Sequence, residues 1–199
     1  MRQSIRTFVE LCSQTLPVSG PVYEFGALQV ANDDLSENLR PLFPDYEYIG
    51  CDMRPGPGVD RVLDLHDIAL DKEVAGSVLS MDTLEHVEYP RKAVAEIHRI
   101  LKPGGIVILS SVMAFPIHGY PNDYWRFTPE GFRSLLNVFE SSFVGQCGAN
   151  PNFPQTVVGI GFKDDAPELE RFQEAYGKWE HWNNEVLKKI EKNYLSSDI

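Results

Sequence analysis

The sequence predicts an α/β fold: a doubly wound, mainly parallel sheet in a single domain, with an antiparallel closing strand. Three observations carry this reading. Short apolar runs alternate with segments of helical periodicity. One run, Ile106–Leu109, is almost continuously apolar, as expected for a parallel strand covered on both faces. Residues 77–111 join a buried strand, an acidic turn, an amphipathic helix, a Pro-Gly-Gly break and a second buried strand, which is the shape of an α/β crossover.

The elements follow in order. Ile5, Phe8, Val9, Cys12 and Leu16 recur at helical spacing over 4–16, and Pro17 to Pro21 end that helix. Val22–Phe25 reads as the first strand, stopped by Gly26. Residues 33–43 read as a helix with Leu35, Leu39 and Leu42 on one side. Tyr46–Cys51 is the second strand, followed by a Pro/Gly loop over 54–58. Val59–Leu65 is a weaker third strand and Val74–Met81 the fourth. Tyr89–Leu101 is a helix with Ala93, Val94, Ile97, Ile100 and Leu101 on its buried stripe, ended by Lys102-Pro103-Gly104-Gly105. Thr128 reads as an N-cap with Pro129 at the first helical position of a helix over 129–138. Phe139–Cys147 and Val157–Phe162 read as a closing antiparallel pair. From Pro167 on, Phe172, Tyr176, Trp179, Trp182, Val186 and Ile190 form the stripe of a long helix. This divides the chain into an N-terminal helix (1–20), a central domain (21–165) and a C-terminal amphipathic helix (166–199), whose stripe docks on its own core or forms a homodimer.

Composition limits the partners. With 43% hydrophobic and 24% charged residues, the chain can bury a sizeable core. Its net charge of −11 disfavours nucleic acid and anionic lipid and leaves a small molecule as the expected partner. The three cysteines are dispersed without a CxxC pair, no two histidines have metal-ligand spacing, and no metal is expected. Neither a signal sequence nor a membrane span is evident, so a cytoplasmic location is expected.

In such sheets ligands lie beyond the carboxyl ends of the strands. The candidates are therefore Glu24 to Gln29, Asp52 and Met53, Asp64 to Asp67, Asp82 to His86 and Ser110 to Met113. Gly26 lets backbone approach a ligand closely, or simply ends a strand. Asp52, 26 positions after Gly26, suits a ribose diol, because a carboxylate accepts from two adjacent hydroxyls. Asp64 suits an exocyclic amine with Leu65 or Ile68 against the ring, whereas Asp67 serves equally well as a helix cap. His98 falls on a polar helix face. His86 caps or packs in its turn, close to the site.

The later run carries more. Leu84-Glu85-His86-Val87, Glu96-Ile97-His98-Arg99 and Leu101-Lys102-Pro103-Gly104-Gly105 together resemble the class I S-adenosylmethionine-dependent methyltransferases, in particular their type 11 domains. The resemblance spans roughly Tyr23 to Phe139 and implies a Rossmann-like sheet with S-adenosyl-L-methionine as cofactor. It places Glu24, Gly26 and Ala27 in the first motif. It assigns Asp52 and Met53 to the ribose end, Asp64 and Leu65 to adenine, and Asp82, Thr83 and Leu84 to the methionine end. The family usually has further glycines after the first strand, where this chain reads Gly26-Ala27-Leu28-Gln29-Val30. The stretch Pro116–Pro129 resembles an acceptor segment found in some type 11 domains. It offers aromatic walls with His118, Tyr120, Asp123 and Arg126 to orient a polar substrate; alternatively Tyr124, Trp125 and Phe127 pack on the core while Arg126 pairs with a carboxylate, and a mixture of the two, with His118 and Tyr120 at the pocket, is expected.

The implied activity is methyl transfer to oxygen or nitrogen of a small molecule. His118 is the first candidate for general base, with Asp123 and His86 behind it. The alternative is a methyltransferase-like module that binds partners without catalysis. A nicotinamide enzyme fits poorly, because GxGxxG is absent.

Overall fold

The computed structural model describes residues 2–29, 38–119, 121–167 and 169–197, with backbone alone from 191. Four helices are described: α1 (Gln3–Thr15), α2 (Pro90–Ile100), α3 (Pro129–Leu136) and α4 (Glu170–Ser197). Seven strands, β1 (Val22–Phe25), β2 (Tyr48–Asp52), β3 (Arg61–Val62), β4 (Ala75–Met81), β5 (Leu101–Val112), β6 (Ser141–Cys147) and β7 (Thr156–Phe162), form one sheet in the order β3-β2-β1-β4-β5-β7-β6. β1 is parallel to both β2 and β4, and β4 is parallel to β5. β7 runs antiparallel to both β5 and β6. The chain direction across the sheet therefore switches between β1 and β4, where a ligand crevice forms.

Strand alternation divides the core into two layers. Val78, Val107 and Leu109 pack with Ile97, Phe132 and Leu136 beneath α2 and α3. Leu79, Ile106 and Ile108 pack with Phe8, Phe172 and Trp179 beneath α1 and α4. The inner end of the α4 stripe is thus used within the chain. Trp179 Nε1 donates to Ser4 O at 2.9 Å, and its ring lies 5.1 Å from that of Phe8. Trp182, further along, is 52% exposed. Thr128 Oγ1 accepts from Gly131 N at 3.0 Å, with Pro129 starting α3. Among the described residues no helix is long and apolar enough to cross a membrane.

Some boundaries differ from expectation. The third strand shrinks to Arg61–Val62, both exposed at the sheet edge. After it the chain turns inward through an Asp64–Asp67 bridge. β5 starts at Leu101, so Lys102–Gly105 is a bulge inside a strand and not a gap before one: Leu101 pairs with Ala75, then the register shifts until Ile106 pairs with Ser77. Of the expected 33–43 helix, 33–37 lie outside the described residues, and Arg40–Leu42 form a single 3-10 turn. His98 is not simply solvated, because its ring packs edge-on to Phe139 at 5.2 Å.

Candidate functional site

A cavity of about 560 Å³ opens at the carboxyl ends of β1, β2 and β4. Glu24, Gly26, Ala27, Asp52, Met53, Asp64, Leu65, Asp82, Thr83, His86 and His118 line it, bringing together eleven positions drawn from five separate stretches of sequence.

Gly26 has φ +87, and a Cβ there would collide with Thr83 Oγ1. Gly26 N and Ala27 N both donate to Cys51 O, at 2.9 and 3.0 Å. The chain then runs against the neighbouring loop, where Gln29 N donates to Pro57 O at 3.0 Å. The close approach that this loop's own glycines would permit is supplied by that neighbour. Gly58 has φ +85, and a Cβ on it would meet Ala27 O. Behind the loop, Glu24 is 7% exposed and accepts from Tyr48 Oη at 2.7 Å. Burial pushes its carboxyl up to about 7.

At one end of the cavity, Asp52 Oδ1 accepts from Arg54 N at 3.0 Å. Arg54 Nε is buried and has no hydrogen-bond partner among the described residues. Met53 is 57% exposed beside it. Asp64 Oδ1 accepts from both the backbone N and Nδ1 of His66, each at 2.8 Å. His66 Nε2 accepts from Tyr89 N, which fixes the Nδ1–H tautomer. The Asp64 side chain is 57% exposed. The Glu96–Arg99 pair holds this wall from behind: Glu96 Oε2 accepts from Ile68 N, and Arg99 donates to Ile68 O and Leu70 O.

At the other end Asp82 has φ +46, a left-handed conformation for a non-glycine residue. Its backbone N donates to Ser110 O and Oγ, and its carboxylate receives Ser110 Oγ at 2.8 Å together with the Arg2 guanidinium. Glu85 is fully buried. Its Oε2 accepts from Ser111 Oγ at 2.6 Å, while Oε1 has no partner among the described residues. Burial first, then the charge of Asp82, raises its carboxyl pKa. The segment after β5 folds back over this turn, with Tyr124 N and Trp125 N donating to Glu85 O. That return places the His86 and His118 rings edge to face, 4.7 Å apart. His86 Nδ1 lies 2.6 Å from Asn122 O. Desolvation lowers the His86 pKa.

The architecture matches proteins of known structure. Residues 27–109 match the family model described as a methyltransferase domain. Over that stretch the chain resembles a methyltransferase domain. Structurally it resembles the CMeT domain of the citrinin polyketide synthase (TM-score 0.60, 15% identity), covering 81% of this chain and 52% of that one. It also resembles an S-adenosylmethionine-dependent methyltransferase, possible histamine N-methyltransferase, from Thermotoga maritima (TM-score 0.58, 21% identity, 81% and 91% covered). A third similar structure is the trans-methyltransferase CalH, solved with S-adenosylhomocysteine (TM-score 0.57, 16% identity, 80% and 55% covered). No curated protein matches the sequence.

Within this methyltransferase-like domain two expected site residues sit elsewhere. Leu84 is fully buried and packs into the core beneath α2, because the 3-10 turn at 84–86 points its side chain inward. Asp123 does not face the cavity. Its carboxylate is clamped by Arg126 at 2.5 and 2.7 Å, and Oδ2 also accepts from His118 N at 2.7 Å. The Arg126 bonds hold the Asp123 carboxyl well below the usual range, so it orients His118 and does not exchange protons near neutrality. Tyr120 lies outside the described residues. Arg2, Arg54, Asn122 and Tyr124 were absent from the sequence-based site. Only the last two lay in a stretch the sequence had marked, and Arg2 carried no signal.

Proposed function

We propose that the chain transfers a methyl group from S-adenosylmethionine to a hydroxyl or amine of a small polar molecule. The carrying observation is one continuous cavity with paired carboxylates at one end and two imidazoles at the other. The residues suit this cofactor. Asp52 can accept from a ribose diol, the exposed Asp64 carboxylate from an adenine amine, and Met53 and Leu65 offer apolar contact to the ring. Asp52, Asp64 and Asp82 line the cavity with carboxylates, which favours a cationic donor. CalH, of similar fold, was solved with the product form of the same cofactor.

When bound, S-adenosylmethionine supplies an electrophilic methyl on a positively charged sulfur. The acceptor gains that methyl and loses a proton. We assign proton removal to the His86–His118 end, with His118 the first candidate and Asp123 as its orienting partner. Tyr124 adds an aromatic wall beside these imidazoles, which helps exclude water.

One observation favours the second reading, a non-catalytic module: the Ala27–Gln29 loop is tied to Pro57 and lacks its own glycines. Titration calorimetry with S-adenosylhomocysteine separates the two. Micromolar binding supports the enzyme. An absence of heat at millimolar ligand sinks it.

A further inference from the structure

We propose that Glu85, His86 and His118 form a binding site for a first-row divalent cation, of the zinc class, at the acceptor end of the cavity. One ligand atom from each of these residues lies within 4.8 Å of the other two. Sequence spacing hides this, since His118 reaches the Glu85–His86 pair only through the return of the chain after β5.

A second observation points to the same ligand independently. Glu85 is 0% exposed, and its Oε1 has no hydrogen-bond partner among the described residues. A buried carboxylate oxygen without a partner is costly. The two nearby guanidinium groups are committed elsewhere, Arg2 to Asp82 and Arg126 to Asp123. Oε1 faces His118 Nε2 at 4.0 Å, too far for a hydrogen bond. Cation bonds of about 2.0–2.2 Å ask for donors about 3–3.5 Å apart, so the three side chains close by roughly 1 Å on loading.

The imidazoles are already oriented as ligands. His86 Nδ1 is held at 2.6 Å by Asn122 O, and His118 Nδ1 lies 3.2 Å from Pro116 O and 3.3 Å from Asp123 Oδ2. Each ring thereby presents Nε2 as its free nitrogen, in the arrangement where an outer acceptor fixes tautomer and direction. Two imidazoles and one carboxylate suit Zn²⁺, Fe²⁺ or Co²⁺ and leave a coordination position open. His86 and His118 line the cavity, so that position faces it.

The site's part in chemistry rests on the methyl-transfer reading, whereas cation binding does not. A hydroxyl acceptor occupies the open position and releases its proton to solvent. Its oxygen lone pair forms the O–CH₃ bond as the S–CH₃ bond breaks, and the sulfur keeps that electron pair as a neutral thioether. In the loaded protein His118 is then a ligand, and the cation replaces it as the activating group.

The test is Co²⁺ titration of the full chain, followed by visible absorption and calorimetry. One equivalent should bind with ligand-field bands that Zn²⁺ abolishes, and His86→Ala and His118→Ala should each weaken binding at least tenfold. Paramagnetic proton NMR of unmodified protein with Co²⁺ avoids any folding defect in the variants. Two strongly shifted imidazole N–H signals, one per Nδ1–H, are expected. No binding below millimolar Co²⁺, or binding unchanged in both variants, overturns the site. S-adenosylhomocysteine binding measured with a chelator present tests the cofactor reading separately.

Discussion

Arg2 and Asp82, 80 positions apart, form a two-point ion pair in which Nη2 lies 3.1 Å from Oδ1 and 3.0 Å from Oδ2. The same guanidinium donates to Thr156 Oγ1 and lies over the Phe115 ring at 5.8 Å. A residue preceding the first helix therefore fixes the carboxylate at the end of β4. Arg2→Ala should lower stability by about 1 kcal/mol, because the pair is only partly shielded from water. For a chain of this size that is a melting-point drop of about 2–4 °C. Calorimetry should also show S-adenosylhomocysteine binding weakened several-fold. Unchanged affinity would mean that Asp82 is held by Ser110 alone.

Gly26 is hemmed in by Thr83, in a left-handed conformation. Gly26→Ala should cost about 1–3 kcal/mol in chemical denaturation and abolish cofactor binding. Adding Thr83→Ala removes the hydroxyl that collides, leaving the Cβ of residue 83 at 3.1 Å and the backbone strain in place. The double variant should recover part of the loss, giving a coupling that a denaturant cycle can read.

Asp52 lines the cavity with a side chain 12% exposed, bonded to Arg54 N. Asp52→Asn keeps the shape and removes the charge. S-adenosylhomocysteine affinity should fall about tenfold, the loss of one charge-assisted hydrogen bond, with the melting point unchanged. An equal drop in affinity and stability would instead mark Asp52 as a structural residue.

Glu24 gives a pH dependence. Its carboxyl is raised from 4.5 to about 7 in the folded state, chiefly by burial. A raised folded value means that the protonated form favours folding. The stabilising contribution is complete below the unfolded value and is lost as pH rises through about 7. The loss approaches about 3 kcal/mol at one pKa unit per 1.4 kcal/mol. Glu24→Gln should flatten this part of the stability profile in urea melts from pH 4 to 8. Glu85 tilts the profile the same way, so the informative quantity is the difference between the two proteins.

The sheet was largely legible in the sequence because apolar runs mark strands buried on both faces. The carboxyl ends of those strands then located most of the cavity wall without reference to distant contacts. Misreadings arose where a distant partner decides. Lys102–Gly105 follows the end of α2 at Ile100, as its local reading as a helix stop implies, yet the pairing of Leu101 with Ala75 also makes it a strand bulge. For Asp123 the deciding partner is near, since Arg126, three positions on, takes both its oxygens. Glu96 and Arg99 belong to the family-like signature, but their work, bracing the loop at Ile68 and Leu70, appears only in three dimensions.

Trp179 of α4 bonds to Ser4, two positions beyond Arg2, and Arg2 in turn holds Asp82. The two ends of the chain act as a clasp: the last helix seats the first, and the first steadies the pocket. Loosening α4 at its inner end would release the grip on Asp82 without touching any residue that lines the cavity. Asp82 thus depends on contacts made by α1 and α4, outside the cavity that it lines.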